Sequence, residues 1–271
     1  MLFGEAMAGR EPRVRDKIEL LSPDHGRHEA DLAAPSNPKI YIRAAEWWVE
    51  RLGTLFSIIT DPANYVDDGV FDPAAATERL LGVEQLFRDC QSILTLTHDD
   101  HAKTSLAFTL LKRYEGLLKL DWKKVVGRKY LEVILENLRS DVPAEFHDVF
   151  LRRAERAVRS VAALERGFFA AGEDPESPIF LPDKNGVRVA NERRNAVTEW
   201  LQLVRNSLHG FDKPSARDRA LLAAHDGEIP GDFSDVAWLH LLDVVAHPEK
   251  LAKFGKINKK RAGNPRTPPA L

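Results

Sequence analysis

The sequence contains a single cysteine, Cys90, among 271 residues. One cysteine excludes an internal disulfide and a zinc site built from several cysteines, and it fits a protein of a reducing compartment. The helical neighbours of Cys90 are Leu86, Phe87, Ile93 and Leu94. We therefore expect a buried thiol that packs against apolar side chains, and not a nucleophile.

Long apolar runs and an excess of one charge are also missing. No run approaches the ~20 apolar residues that cross a bilayer, and the first residues lack the basic-then-apolar order of a secretion signal. We therefore expect a cytoplasmic protein with no membrane partner. The 39 basic and 41 acidic residues give a net charge of -2, so a nucleic-acid partner would need a local basic patch.

What the sequence does contain is helical periodicity over most of its length, which predicts an all-α, multi-helix bundle. Residues 1–37 are charged and interrupted by Pro12, Pro23 and Pro35, and we expect them to form a mobile N-terminal arm. The helical domain is expected over residues 38–248. Residues 249–271 are basic and contain prolines, which is typical of a solvated tail, although such a tail can also bind nucleic acid.

Capping residues and apolar spacing locate the helices inside this domain. Asp72-Pro73 opens one helix and Asp99 or Asp100 opens the next, and the short polar joint between them predicts an antiparallel helical hairpin. Further helices are predicted over residues 123–138, 143–171, 215–224 and 234–246. A first helix opens at Pro38 and carries an apolar stripe that we assign to the core: Ile42, Ala45, Trp48, Val49, Leu52, Leu55 and Phe56.

One stretch departs from helical spacing. Ile179-Phe180-Leu181 and Val187-Arg188-Val189 flank the pair Asn185-Gly186. This order predicts a small β-hairpin insertion near residues 178–190, with Asn185-Gly186 as its turn.

Residues 191–210 form the most informative segment of the chain. At an advance of ~100° per residue, one side of this helix is polar throughout and the opposite side is apolar except for Ser207. The polar side comprises Arg194, Asn195, Thr198, Glu199, Gln202, Arg205, Asn206 and His209, and the apolar side comprises Ala196, Val197, Trp200, Leu201, Leu203, Val204 and Leu208. Arg205 and His209 are four residues apart, so they point the same way.

An imidazole and a guanidinium side by side could cut RNA without a metal or another cofactor. The imidazole of His209 can take the proton of a ribose 2′-hydroxyl or donate one to the leaving oxygen, while Arg205 supports the charge on the phosphoryl oxygens. This route needs the 2′-hydroxyl, so DNA would be spared. The alternative is a solvated helix face in which His209-Gly210 serves as the C-terminal cap.

The residues Arg205-Asn206-Ser207-Leu208-His209-Gly210, at the end of an amphipathic helix, resemble the signature region of the HEPN superfamily (higher eukaryotes and prokaryotes nucleotide-binding). In that motif an Arg is followed by Asn, Asp or His and then, after a short gap, by a His. By position, Arg205, Asn206 and His209 match. Three residues separate Arg205 from His209 here, where the family usually has four to six, so a non-cleaving member is an open alternative.

The resemblance implies an all-α bundle that acts as a homodimer on RNA, as a metal-independent endoribonuclease or an RNA-binding protein of a defence or toxin-type system. It implies His209 as the proton-transfer group, Arg205 as phosphate support and Asn206 as the orienting residue. The rival hypothesis is a non-catalytic scaffold that holds a protein partner through the polar helix face or through Trp47 and Trp48. One of these two adjacent tryptophans is expected inside and the other partly exposed.

A second cluster, His98-Asp99-Asp100-His101, brings two imidazoles and two carboxylates within one turn. A metal ion could use them. Their place at a predicted helix start favours capping by aspartate instead, so we predict no metal site.

Overall fold

The computed structural model describes residues 39–67, 69–96, 99–168, 177–183, 185–207, 214–225 and 228–254. The predicted N-terminal arm, residues 1–37, lies outside these ranges, as does the tail beyond residue 254. The predicted all-α bundle with a small β insertion is confirmed. The α-helices are α1 Lys39–Thr60, α2 Pro73–Thr95, α3 Asp100–Leu118, α4 Trp122–Val126, α5 Arg128–Asp141, α6 His147–Arg166, α7 Arg193–Ser207, α8 Ala216–Ala224 and α9 Asp235–Ala246.

Among the described residues, two antiparallel hairpins interrupt the helices. Strands β3 (Ile179–Pro182) and β4 (Arg188–Asn191) form the predicted hairpin, and Gly186 takes a positive φ of 81° in its connection. Strands β1 (Val66–Asp67) and β2 (Val70–Phe71) form a second hairpin, which we did not predict. Strands of two residues are too short to show an alternation of apolar and polar residues in the sequence, so this hairpin could not be predicted.

In the described part of the chain, four short 3₁₀ helices connect or extend these elements, at Pro62–Tyr65, Ala144–Phe146, Gly231–Ser234 and Pro248–Phe254. The last of them continues the fold past residue 248, where we had placed the end of the helical domain. Leu251 is fully buried in the core, and its carbonyl accepts a hydrogen bond from Arg79 of α2.

Helix α9 is the centre of the bundle. All of its residues are buried except Trp238, and it packs against α1, α2, α3, α5 and α6. A helix that is apolar almost all round can be stable in water only when other elements enclose it. None of the helices in the described part of the chain is long and apolar enough to span a bilayer.

The predicted capping residues occupy their expected positions. The Asp72 carboxylate accepts from the amides of Ala74 and Ala75 at the start of α2, and the Asp99 carboxylate accepts from the amide of Ala102 at 2.8 Å. These bonds satisfy amides that have no partner inside the helix. α2 and α3 then pack against each other as predicted.

One predicted helix is wrong in its boundaries. Residues 123–138 were read as one amphipathic segment, but the chain forms α4, breaks at Gly127 and restarts as α5. Gly127 has an extended ψ of 127° and closes α4 by donating its amide to the Lys123 carbonyl at 3.0 Å. α4 therefore turns away from α5 and is able to pack on α7.

The core stripe assigned to α1 is also partly wrong. Ile42, Val49 and Phe56 are exposed, at 42%, 65% and 49% of their surface. The buried positions of α1 are Ala44, Leu55 and Ile59. They lie on the other side of the helix, so the predicted stripe combined two different faces.

The adjacent tryptophans of α1 do not divide into one buried and one exposed side chain. Trp47 and Trp48 are both half-buried, and both contact Phe150 of α6. The Trp47 ring is tilted against it at a centroid distance of 5.2 Å, and the Trp48 ring stacks on it at 5.6 Å. Trp48 also stacks on Trp238, at 5.7 Å and nearly parallel.

Candidate functional site

Helix α7 carries the predicted site residues. The apolar side of α7 packs into the core, as predicted. Ala196, Val197 and Leu201 are almost fully buried, and Trp200 is 5% exposed. The described part of the helix ends at Ser207. His209 lies outside the described residues, so its predicted role stays a prediction.

The start of α7 is fixed by Arg193, a residue that the sequence analysis did not single out. Its side chain is buried, and the guanidinium donates to the Ser177 carbonyl at 2.7 Å and to the Phe168 carbonyl. A buried guanidinium is tolerated only when its donors are used. Arg193 thereby ties α7 to the end of α6 and to the chain that enters β3.

At the other end of α7, the Arg205 guanidinium lies over the indole ring of Trp122, 4.8 Å from the ring centroid. Trp122 opens α4 and is itself fixed, because its indole N–H donates to the Thr198 carbonyl at 3.2 Å and its ring packs near Phe108. A cation over an aromatic face gains roughly 0.5–2 kcal/mol. The position of the Arg205 head group is therefore set by packing.

Arg205 is also joined to the second predicted site residue. Its Nε and Nη2 atoms both donate to the Asn206 side-chain oxygen, at 3.2 and 2.8 Å. Neighbouring residues on a helix normally diverge, so this bridge needs the long arginine side chain to bend back. The structure thus brings Arg205 and Asn206 together in a half-buried pair. One edge of the guanidinium, formed by Nε and Nη2, is hydrogen-bonded to the uncharged amide oxygen of Asn206.

Charged residues flank Trp122, the aromatic partner of Arg205. Lys123 and Lys124 follow Trp122 on α4, and both are exposed. Neither lysine nor Arg205 forms an ion pair with a carboxylate within the described residues. We call Arg205, Asn206, Trp122, Lys123 and Lys124 the Arg205 site. The three α4 residues could not be predicted as part of this site, because no local sequence pattern relates Trp122 to Arg205.

The acidic residues on the polar side of α7 are neutralised by their own partners. Glu199 pairs with Arg217 of α8 at 2.7 Å, and Glu192, just before α7, pairs with Arg194 at 2.7 Å. The pKa of Glu192 is lowered by its hydrogen bond and its attraction to Arg194. Glu199 and Glu192 are therefore compensated, whereas Asp121, which caps α4 just before Trp122, forms no ion pair within the described residues. Arg205, Lys123 and Lys124 outnumber this one carboxylate.

The polar side of α7 is not solvated along its whole length, which corrects the predicted wet face. Thr198 is only 4% exposed, because α4 and the Gly127 break cover it. A Cβ built on Gly127 would lie 3.7 Å from the Thr198 methyl group. Thr198 is thus covered, whereas Gln202 on the same helix is exposed and Arg205, near the end of the helix, is half-buried.

A second polar cluster, not predicted from the sequence, surrounds Asp243 in the centre of the bundle. Its fully buried carboxylate accepts hydrogen bonds from the Tyr114 hydroxyl at 3.1 Å, from His247 Nδ1 at 2.9 Å and from the Lys250 ammonium. The other nitrogen of His247 lies 2.7 Å from the Asp141 carboxylate. Both imidazole nitrogens face carboxylates, an arrangement that favours the protonated ring.

The pKa values in this cluster follow from these contacts. Burial acts to raise the pKa of Asp243, but the hydrogen bond from His247 and the attraction of Lys250 outweigh it, and the net pKa is lowered. The hydrogen bond to Asp243 raises the pKa of His247. Burial lowers the pKa of the neighbouring His240 to about 4. The groups are paired with one another and enclosed, so we assign them to stability.

A surface groove of about 610 Å³ lies along α2 and α3. Its floor includes Leu117, and its charged residues are largely paired, with Arg113 bound to Asp89 at 2.9 Å and Arg88 to Glu84 at 2.5 Å. No residue of the Arg205 site lines this groove. Its mixture of acids and bases favours no single class of ligand.

In the cluster at residues 98–101, the two aspartates serve the start of helix α3. Asp99 caps α3, as described above, and Asp100 pairs with Lys103 at 3.2 Å. His98 lies outside the described residues. Across the described ranges, no three His, Cys, Asp or Glu side chains are grouped so that they could hold a metal ion.

Cys90 is buried as predicted, at 1% exposure. Burial raises the pKa of its thiol to about 12. Because the thiolate is the reactive form, this cysteine belongs to the core.

Comparison with known proteins identified no relative. No family model, no curated protein and no solved structure matches this chain. The interpretation of the Arg205 site therefore rests on its own residues and geometry.

Proposed function

We propose that this protein binds RNA at the Arg205 site and cleaves it without a metal ion, in the manner that the HEPN resemblance implies. The observation that carries the proposal is the Arg205 guanidinium, fixed over Trp122 and bridged to Asn206. An arginine held in this way, beside Lys123 and Lys124, suits a phosphodiester backbone, because the cations attract phosphate and a guanidinium can contact two of its oxygens.

The chemistry assigns one role to each residue. A base, His209, removes the proton of a ribose 2′-hydroxyl, and the 2′-oxygen forms a bond to the adjacent phosphorus. The bond from phosphorus to the 5′-oxygen breaks, and that oxygen takes up a proton. Arg205 stabilises the negative charge on the phosphoryl oxygens during this exchange, and Asn206 orients Arg205. The products are a 2′,3′-cyclic phosphate and a 5′-hydroxyl.

A homodimer is part of the proposal. One subunit supplies one His209, whereas the reaction needs both a base and an acid. A twofold axis near the ends of two α7 helices would bring two copies of the motif together and supply both groups. A role in a defence or toxin-type system belongs to the same proposal and rests on the resemblance alone.

The rival proposal is a scaffold that binds a protein partner without catalysis. For the region of Trp47 and Trp48 it is weakened by the packing of these side chains, since both are half-buried against Phe150. They already have aromatic partners in their own chain. A partner could contact only their remaining edges.

The test is an RNA cleavage and binding assay with the full chain in the presence of a chelator. We expect cleavage by the wild type and its loss in Arg205→Ala and in His209→Ala, with the helical circular dichroism unchanged. Arg159→Ala is the matched control, because Arg159 is an exposed arginine of α6. It removes the same charge outside the Arg205 site.

The outcomes separate the two parts of the proposal. Binding without cleavage, weakened by Arg205→Ala and not by Arg159→Ala, would retain RNA binding and remove the enzyme. Equal binding by both variants would remove the Arg205 site from RNA recognition and leave the scaffold as the better hypothesis.

A further inference from the structure

The β3–β4 hairpin has two outer edges, and their backbone groups can be assigned from the register. The Asp183 amide donates to the Val187 carbonyl at 2.8 Å, which makes these two residues a hydrogen-bonded pair. Hydrogen-bonded and non-hydrogen-bonded pairs alternate along an antiparallel ladder. The residues whose backbone groups point away from the hairpin are therefore Phe180 and Pro182 on β3 and Arg188 and Ala190 on β4.

The β3 edge is blocked. Pro182 has no N–H to donate, and its carbonyl accepts a hydrogen bond from the Arg217 guanidinium of α8 at 3.3 Å. α8 also packs against β3, and Leu181 is buried. A further strand therefore cannot pair regularly with this edge.

The β4 edge is open. Arg188, Val189 and Ala190 are exposed, and no described residue forms a hydrogen bond with the outward N–H and C=O groups of Arg188 and Ala190. Apolar side chains accompany this edge, since Phe180, Val187 and Val189 are 55%, 59% and 39% exposed. An unpaired strand edge with apolar neighbours can pair with a strand of another chain.

A second copy of this chain fits the edge, because β4 can pair with itself about a twofold axis. In an antiparallel register centred on Val189, Arg188 of one copy faces Ala190 of the other. All outward N–H and C=O groups of these two residues then find partners in the other copy. Arg188 faces a small uncharged side chain and not another cation.

The two neighbouring twofold registers are less favourable. A register centred on Arg188 would place two arginines directly opposite each other, and like charges in this position are destabilising. A register centred on Ala190 would use the carbonyl of Glu192. That carbonyl already accepts hydrogen bonds from the amides of Asn195 and Ala196, both at 3.0 Å.

Charge complementarity favours the register centred on Val189. Glu192 follows β4 directly, and in this register it lies diagonally across from Arg188 of the other copy, within reach of a long side chain. Arg188 forms no ion pair within the described residues. Glu192 is paired with Arg194 at 2.7 Å and is exposed, so it can contact a second arginine. This contact supports the register more than the strength of the pairing.

We propose that two copies of the chain associate through β4, with each Val189 facing its symmetry mate, to form a four-stranded antiparallel sheet. The contact is small, so the dimer should be weak and should dissociate on dilution. Its axis lies beside the start of α7, whereas Arg205 lies twelve residues after Arg193 on this helix, roughly 18 Å away. The proposal is therefore separate from the twofold axis proposed for RNA cleavage and does not rest on that function.

Cysteine cross-linking of the full chain tests the register. The two Val189 Cα atoms of a non-hydrogen-bonded pair would lie about 4.5 Å apart, which is within the range of a disulfide. The two Val187 Cα atoms would be displaced by four residues, or about 14 Å, which is beyond that range. Under mild oxidation, Val189→Cys should form a covalent dimer, whereas Val187→Cys should not. Cys90 is present in both proteins and is buried.

Sedimentation of the unoxidised proteins tests the hydrogen bonds. Ala190→Pro removes an outward N–H and leaves the hydrogen bonds within the hairpin in place. It should therefore halve the mass of the particle at a concentration where the wild type is paired. Ala190→Val is the matched control, because it keeps the N–H, and it should keep the mass. Circular dichroism verifies that both variants are folded.

Three results would overturn the proposal. The first is equal cross-linking of Val189→Cys and Val187→Cys, or cross-linking of neither. The second is a wild type that has the mass of a single chain at every concentration. The third is a folded Ala190→Pro variant with the mass of the wild type. Arg205→Ala should leave the Val189→Cys cross-link unchanged, so a failure of the proposed function would not be mistaken for a failure of this pairing.

Discussion

Gly127 offers the sharpest test of how the Arg205 site is held. A Cβ at this position would lie 2.3 Å from the Lys123 carbonyl oxygen. Real contacts of this type are longer than about 3 Å, so the Gly127→Ala change must displace the end of α4. The same carbonyl accepts the Gly127 amide at 3.0 Å, and that bond would be strained or lost.

The magnitude follows from these contacts. Overpacking against backbone costs about 1–3 kcal/mol, and a lost hydrogen bond adds about 1 kcal/mol. Alanine also lowers the conformational entropy of the unfolded chain, which offsets about 0.5–1 kcal/mol of this destabilisation. We expect Gly127→Ala to lower the free energy of unfolding by about 1–3 kcal/mol. Gly116→Ala is the control, since its Cβ would meet nothing within 4 Å in helix α3; it should raise stability by about 0.5–1 kcal/mol.

Urea unfolding followed by circular dichroism measures both variants. The reasoning is refuted if Gly127→Ala is as stable as Gly116→Ala, because the break between α4 and α5 would then tolerate a side chain. A second readout uses the position of Trp122 on α4. If α4 shifts, Gly127→Ala should also weaken RNA binding, while Gly116→Ala should not.

Four further predictions concern the Arg205 site and the Asp243 cluster. Trp122→Ala should weaken RNA binding by at most about 2 kcal/mol, the upper value of the contact that holds Arg205 in place, as measured by fluorescence anisotropy on protein shown to be folded, because Trp122 is also a core residue; unchanged affinity would contradict it. Replacing Lys123 and Lys124 together by alanine should make the slope of log K against log salt shallower by about 1.4 for single-stranded RNA, and an unchanged slope would place the RNA elsewhere. Asp243→Ala should cost about 3–5 kcal/mol of stability, because it leaves buried partners unpaired; a loss below 1 kcal/mol in urea unfolding would show that the cluster is not stabilising. The raised pKa of His247 stabilises the folded state. This stabilisation is complete below the unfolded-state pKa of 6.5 and is lost as the pH rises through the folded-state pKa. His247→Gln should therefore flatten the pH dependence of thermal unfolding in that window, and an unaltered profile would show that His247 does not contribute to it.

Local signals in the sequence were sufficient for much of the fold. The cap Asp72 was predicted correctly, and Asp99 was one of the two residues predicted as the next cap, because a capping bond joins residues two or three positions apart. The hairpin β3–β4 was also predicted from a local signal, the pair Asn185-Gly186 between the stretches Ile179-Phe180-Leu181 and Val187-Arg188-Val189. The break at Gly127 was missed, since apolar spacing continued across it and an isolated glycine does not always end a helix.

Contacts between distant residues could not be predicted in this way. Asp243 binds Tyr114, 129 residues away, and Arg205 lies over Trp122 of a different helix. Periodicity reports which side of a helix is apolar, but not which neighbour covers it. For that reason Arg205 and Asn206 were found from the sequence, whereas their supporting residues on α4 required the structure.

Cleavage of an RNA that carries a single 2′-deoxynucleotide tests the central claim most directly. The sites of cleavage are first mapped in the all-ribose strand, in chelator, and the deoxynucleotide is then placed at the main site. The account predicts that this substitution abolishes cleavage at that bond alone, and that the other products end in a 2′,3′-cyclic phosphate and begin with a 5′-hydroxyl. Continued cleavage at the deoxy position, or equal activity in Arg205→Ala, would contradict it.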